Sequence, residues 1–319
     1  MKDRFLDHIK KSALFLRFIT LLKSIRWRRR NISLFDVIKV LLKKLEQDEL
    51  IERAYGVAFN LTLSVFPGLI FLFALIPYLD PVIPNLEAEI FELLRDVLPQ
   101  SIYEAADTTI HDIIFQQRGG LLTFGGVLSL YLATNGMLSL MKAFNKCYRT
   151  RETRPYLRTR MVATILTVIL ALVLFFSIGV LIVGEVLLNL VDNWEMIENI
   201  TIFFIVTLRF MVVFTLFLFA ISFIFYLAPT VHDRWSFFSF GSILSTLLCV
   251  AISFGFSYYI SNFGAYNKLY GSIGTLIAVM VWLFMVSVIL LFGFEVNASI
   301  DKATQNQLHF EVSPEEKLT

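Results

Sequence analysis

Apolar residues along this chain gather in long blocks that hold no charged side chain. The charge-free runs are 54–79, 119–141, 161–184, 210–231, 235–267 and 269–294. A helix needs about 20 apolar residues to cross a ~30 Å hydrocarbon layer, and every run is long enough. Backbone amides in lipid have no water to bond, so each run is predicted to be a helix that satisfies them internally. The fifth run exceeds one span, and its tail from Asn262 to Asn267 is read as a tight turn before the sixth. The fourth is expected to begin a few residues before Arg209. The fold class that follows is all-α: a polytopic membrane protein with six transmembrane helices.

Shorter periodic patterns flank these runs. Residues 12–30 mix Leu, Phe and Ile with Arg17, Lys23, Arg26, Arg28, Arg29 and Arg30. Such a basic amphipathic stretch is expected to lie on an anionic leaflet. A second follows Ser33, a residue suited to an N-cap. There Leu34, Val37, Ile38, Leu41, Leu42 and Leu45 recur at helical spacing, with Lys39, Lys43 and Lys44 between them. Residues 80–118 read as an amphipathic helical hairpin broken at Pro99, with eight acids against two bases. It would form a lid, a docking surface or packing cover. The expected organisation is a basic amphipathic segment 1–53, a transmembrane domain 54–298 containing that hairpin, and a tail 299–319.

Composition and charge sharpen the picture. At 57% hydrophobic and 17% charged residues, the chain is too apolar for an average soluble domain. Its 28 Lys+Arg and 26 Asp+Glu cancel to +2, which excludes a polyanion binder defined by bulk charge. Sorted by alternate connections, 24 of the basic residues fall on one side of the spans and 3 on the other, with Arg209 at a span edge. Basic connections stay cytoplasmic, so both termini are expected there. The first span is read as its own insertion signal. Cys147 and Cys249 are too few for a disulfide framework.

Candidate chemistry is sparse. In the first span Asn60, Thr62 and Ser64 precede Pro67, which predicts a kinked or broken helix of the kind that builds transporter sites. A packing kink is the competing reading. Asn135 in the second span, Tyr259 in the fifth and Tyr270 opening the sixth complete a possible polar cavity, though hydroxyls and small residues also serve helix packing. Ionisable groups in or at the spans are Glu185, Arg209 and Glu295. Glu185 could pair with Arg209, and Glu295 could pair with Arg53, Arg160 or Arg234 as a clamp. His8, His111, His232 and His309 are scattered without metal spacing, and no phosphate-loop or hydrolase motif occurs. No catalytic residue, metal or cofactor is expected.

The residues within these spans resemble the YihY/BrkB family of bacterial inner-membrane proteins, sometimes labelled ribonuclease BN-like. Ala58-Phe59 followed by Leu63-Ser64-Val65-Phe66-Pro67 is similar to its first-span signature. Asn145, Tyr148 and Arg158 match the pattern after span two. Tyr226, Pro229, Trp235 and Gly241 match the turn from span four to five. Tyr270-Gly271-Ser272-Ile273-Gly274, Trp282, Gly293, Glu295 and Asn297 resemble its ending, with Phe294 where the family usually has Ala. The resemblance implies a six-span bacterial plasma-membrane protein. RNA hydrolysis needs an exposed acidic or histidine cluster, and the cytoplasmic connections offer only Glu152, His232 and Asp233. The favoured expectation is transport or translocation of a small solute or amphipathic lipid. Its alternatives are an envelope scaffold with a protein partner and a membrane ribonuclease. Membrane lipids are expected partners, nucleic acid is not, and oligomeric state stays open.

Overall fold

The computed structural model describes Thr20, Ser24, and residues 26–27, 32–47, 49–79, 119–148, 152–192, 199–230, 236–262 and 264–312. The expected hairpin at 80–118 lies outside the described residues, as does most of the basic stretch 12–30. Of that stretch Thr20 and Ser24 are helical, but β1 (Arg26–Trp27) is extended and pairs antiparallel with β2 (Ile32–Ser33), Trp27 opposite Ile32. The helical expectation fails at Arg26–Trp27 because Ile32 must turn inward, where it is buried.

Ser33 does cap α1 (Leu34–Gln47): its Oγ accepts the Asp36 amide at 3.2 Å and donates to the Asp36 carboxylate. Six long apolar helices follow: α2 (Leu50–Leu79), α3 (Gly119–Cys147), α4 (Tyr156–Asp192), α5 (Asn199–Leu227), α6 (Phe240–Asn262) and α7 (Gly264–Val312). All six are long and apolar enough to cross a membrane. Of the turn expected at 262–267, Asn262 still belongs to α6 and Gly264 to Asn267 already belong to α7. Helix α7 continues past the boundary expected at residue 298 to Val312. Helix α2 also runs unbroken through Pro67 and Pro77, so the expected break is absent. Proline removes one amide donor, and packing on a neighbouring span suffices to hold the turn; Gly68 sits against Ser129 of α3.

The spans form a closed ring in chain order. Each packs on the next, α7 returns to pack on α2, and α7 also reaches across to α3. The basic amphipathic α1 lays its apolar stripe on protein rather than only on lipid: Val37 packs with Val296, Ile300 and Ala303 of α7. Its opposite face exposes Lys39, Leu42 and Lys43.

Packing along the ring is uneven. At the end where α1 docks, Ala54 and Val57 of α2, Met141 and Phe144 of α3, Phe225 of α5 and Leu291 and Phe294 of α7 form one buried cluster. Phe144 stacks on Phe294 at 3.9 Å, and Phe225 meets both edge-on. Phe294, the departure noted in the sequence, is therefore at the centre of the core. In the other half of the ring no described side chain is buried from Phe204 to Phe219 of α5, from Ala251 to Tyr259 of α6, or from Leu276 to Val286 of α7.

The tightest helix crossing joins α6 to α7. A Cβ on Gly241 would fall on the Gly293 carbonyl oxygen, and one on Gly293 would fall on Ser245 Oγ. Gly56 has open space around it. Gly293→Val should therefore part α6 from α7 and destroy the monodisperse, cooperatively melting protein in detergent. Gly56→Ala should melt at or above the wild-type temperature, because Ala is about 1 kcal/mol better than Gly in a helix. Equal thermal stability of the two variants would contradict the crossing.

Candidate functional site

The polar residues of the described structure converge on the end of the ring covered by α1. Three networks meet there, each tying different helices. The first surrounds Glu295, a carboxylate with 0% exposure on α7. Lys44 of α1 approaches its Oε1 to 3.2 Å. The same ammonium donates to the Cys147 carbonyl oxygen at 3.3 Å and lies 5.9 Å from the Tyr148 ring centroid. Arg53 of α2 donates to the Ala143 carbonyl at 3.1 Å and to Cys147 Sγ at 3.0 Å. Tyr148 donates to Asp301 Oδ2 at 3.0 Å, fastening the end of α3 to α7 one face further on. Both Glu295 oxygens and the Ser299 hydroxyl one turn later are buried without a hydrogen bond among the described residues.

The second network closes the connection between α3 and α4 over the end of α5. Asn145 donates to Glu152 at 2.9 Å and accepts the Thr230 amide at 2.9 Å. Arg154 pairs with Glu152 at 2.8 Å and donates to the carbonyls of Leu227 and Ala228, at 3.1 and 2.7 Å. These are the orphan carbonyls of a helix C-terminus, where a cation is favoured. Partial burial tends to raise the Glu152 carboxyl, but hydrogen bonds from Arg154 and Thr230 hold it below its ordinary value of 4.5. In the third network Asn297 of α7 accepts the Gly241 amide and donates to Ser239 Oγ, both at 2.7 Å, which caps the start of α6.

The residues singled out in the sequence divide between this end and the body of the spans. Glu295 is a clamp, but its partner is Lys44, delivered by the docked α1. Of the expected partners, Arg53 stands beside it on Cys147, Arg160 turns to Asn135 at 2.6 Å, and Arg234 lies outside the described residues. Asn60 donates to Ser139 of α3 at 3.0 Å, and Ser64 donates to the Leu61 carbonyl. Pro67 is buried, Tyr259 is exposed, and Arg209 is half-buried on α5. The side chains of Glu185 and Tyr270 are outside the described residues, so their expected contacts are too. Helices α2 and α6, which carry Asn60 and Tyr259, flank α7 on its two sides.

Lys44 and Arg154 escaped the sequence reading. Lys44 had left a trace: it follows Val37 and Leu41 on the same helical stripe, a charge where an apolar residue belongs. Arg154 left none, since its partners are backbone carbonyls on a distant span.

A family model described as virulence factor BrkB matches residues 41–316. The chain belongs to the BrkB family. Among its relatives, the ribonuclease-like protein YfkH of Bacillus subtilis is 25% identical over 83% of this chain and 95% of its own length. A UPF0761 membrane protein of Vibrio campbellii is 24% identical over 82% of this chain and 80% of its own. One from Alteromonas mediterranea is 23% identical over 86% and 91%. No solved structure matches the chain. The BrkB match takes in all three networks, from Lys44 to Asp301.

Two outcomes follow. Removing one partner of a buried ion pair typically costs roughly 3–5 kcal/mol, whereas replacing both with apolar residues is often neutral. Lys44→Met and Glu295→Leu should each lower detergent thermal stability strongly, and the double variant should recover most of the loss. Additive losses would remove the pair from the account. For Glu152, a lowered folded-state value means the ionised form stabilises the fold above about pH 4.5, and that contribution drains as pH falls further. Wild-type melting temperature should drop more steeply below pH 4.5 than that of Glu152→Gln.

Proposed function

We propose that this BrkB-family protein sits in the bacterial inner membrane with both termini cytoplasmic and moves a small solute or amphipathic lipid. The observation that supports this reading is the uneven packing of the ring. Helix α7 has α2, α3 and α6 around it, yet its side chains from Leu276 to Val281 are all partly accessible, before Trp282 donates to Ser253 and Phe284 stacks on Tyr55. A helix with three packed neighbours normally buries an apolar stripe. Slack there, together with the aromatic stack at the α1 end, fits a cleft sealed on the cytoplasmic side and open on the other.

The basic residues at the sealed end agree with positive-inside orientation. Ser64 and Tyr259 are the polar positions assigned to the cleft walls. Asn60 and Asn135 commit their amides to Ser139 and Arg160, so their task is to join helices. The sealing elements are Phe144, Phe225 and Phe294 below the Lys44–Glu295 pair.

Cysteine accessibility tests the reading. With Cys147 and Cys249 replaced by serine, single cysteines at Ala278 and Met285 of α7 should react with a membrane-impermeant thiosulfonate added from the periplasmic side. A cysteine at Leu291, in the sealed cluster, should stay unreactive. Reaction of Ala278→Cys and Met285→Cys only with lipid-soluble reagents would show packed or lipid-facing positions and no cleft.

A further inference from the structure

Three described basic side chains are set on carboxylates: Lys44 on Glu295, Lys146 on Glu49 and Arg154 on Glu152. Arg160 differs. Its guanidinium donates to Asn135 Oδ1 at 2.6 Å and to the Tyr131 carbonyl at 3.4 Å, and lies 4.4 Å from the Tyr131 ring centroid. All three partners are neutral, and among the described residues no carboxylate pairs with it. The guanidinium is oriented but not neutralised.

Its position makes that charge costly. Asn135 lies about 10 Å further along α3 than the exposed Lys142, at 1.5 Å rise per residue. Arg160 itself stands near the mouth of α4, four residues after Tyr156, and its guanidinium turns inward to Asn135. A guanidinium drawn toward the hydrocarbon needs an anion or a local inflow of water. The surrounding face opens away from the protein. Tyr131, Val127 and Phe124 share one stripe of α3, opposite Gly136 and Leu140, which pack toward the bundle. They are 55%, 65% and 67% exposed. Met161, beside Arg160 on α4, is also exposed.

We infer that Arg160, Asn135 and Tyr131 form a binding site for the phosphate of an anionic phospholipid on the outer surface of the α3–α4 pair. A guanidinium presents a planar fork that matches two phosphate oxygens. Asn135 and the Tyr131 ring hold the fork in place, so less side-chain freedom is lost on binding. From Tyr131 the exposed apolar stripe continues through Val127 to Phe124 along the outer surface of α3, a face on which an acyl chain can lie. The exposed Arg158, nearer the interface on α4, adds attraction without geometry. This site lies outside the ring and stands whether or not the cleft carries cargo.

Native mass spectrometry of the full chain, released from nanodiscs of equal phosphatidylglycerol and phosphatidylcholine, tests it. The wild type should retain phosphatidylglycerol at least about fivefold over phosphatidylcholine. Arg160→Gln should fall to parity, Arg160→Lys should keep only part of the preference because it retains charge without the fork, and Arg158→Gln should stay near wild type. Size-exclusion profiles establish that each variant is folded; should Arg160→Gln not fold, Arg160→Lys with Tyr131→Leu decides the matter through loss of preference. An unchanged preference in the folded Arg160 variants would overturn the site. Protection of the wild type by millimolar inorganic phosphate as effective as that by phosphatidylglycerol would overturn the lipid assignment.

Discussion

A carboxylate buried in a membrane protein must be met by something, and the polar end of this ring is arranged around meeting Glu295. Lys44 reaches it only because α1 folds back on α7. That docking requires Ile32 and Val37 to bury against Val296 and Ile300. Arg53 then lies across the end of α3, between Ala143 and Cys147, and Tyr148 is pinned by Asp301. One charge thus fixes the relative placement of four helices. The interaction need not add much net stability, since desolvation offsets most of the attraction. Its effect is on specificity: α1 has one seat on the bundle where its lysine is not stranded.

Beneath the pair, the aromatic trio packs the core that this placement defines. Phe144 and Phe294 stack almost parallel, and Phe225 closes their edge. A phenylalanine at 294, next to Glu295 in sequence, puts a large flat surface where a smaller side chain would leave a void. The neighbouring glycines work in the opposite sense. Gly241 and Gly293 let α6 and α7 touch through their backbones, which brings Asn297 within reach of the first turn of α6. Bulk at Phe294 and its absence at Gly293 set how closely α7 approaches α3 and α6.

The sequence made the spans legible because charge is excluded from them for a physical reason that nothing else in the fold overrides. The Ser33 cap was equally local and equally readable. The seat of α1 was not. Periodicity reports an apolar stripe but not whether lipid or protein covers it, and here α7 does. The same limit applies to Glu295: its depth marked it as a clamp, but the choice among Lys44, Arg53, Arg160 and Arg234 is made by tertiary placement. At Pro67 the expected break does not occur, and α2 packs on α3 more extensively than any other pair of described helices does.

The two halves of the ring are therefore held by different forces. At the α1 end, ion pairs, caps and stacked rings make contacts that are specific and mutually dependent. In the other half, apart from the Trp282–Ser253 hydrogen bond, the contacts are apolar and partial, and in a bilayer they gain little, because lipid tails solvate Leu and Phe as well as another helix does. Separating helices there costs far less than separating them at the polar end. Any rearrangement of the bundle should hinge on the networks of Glu295, Glu152 and Asn297 as a fixed collar, with the loosely packed half spreading first and the aromatic trio yielding last.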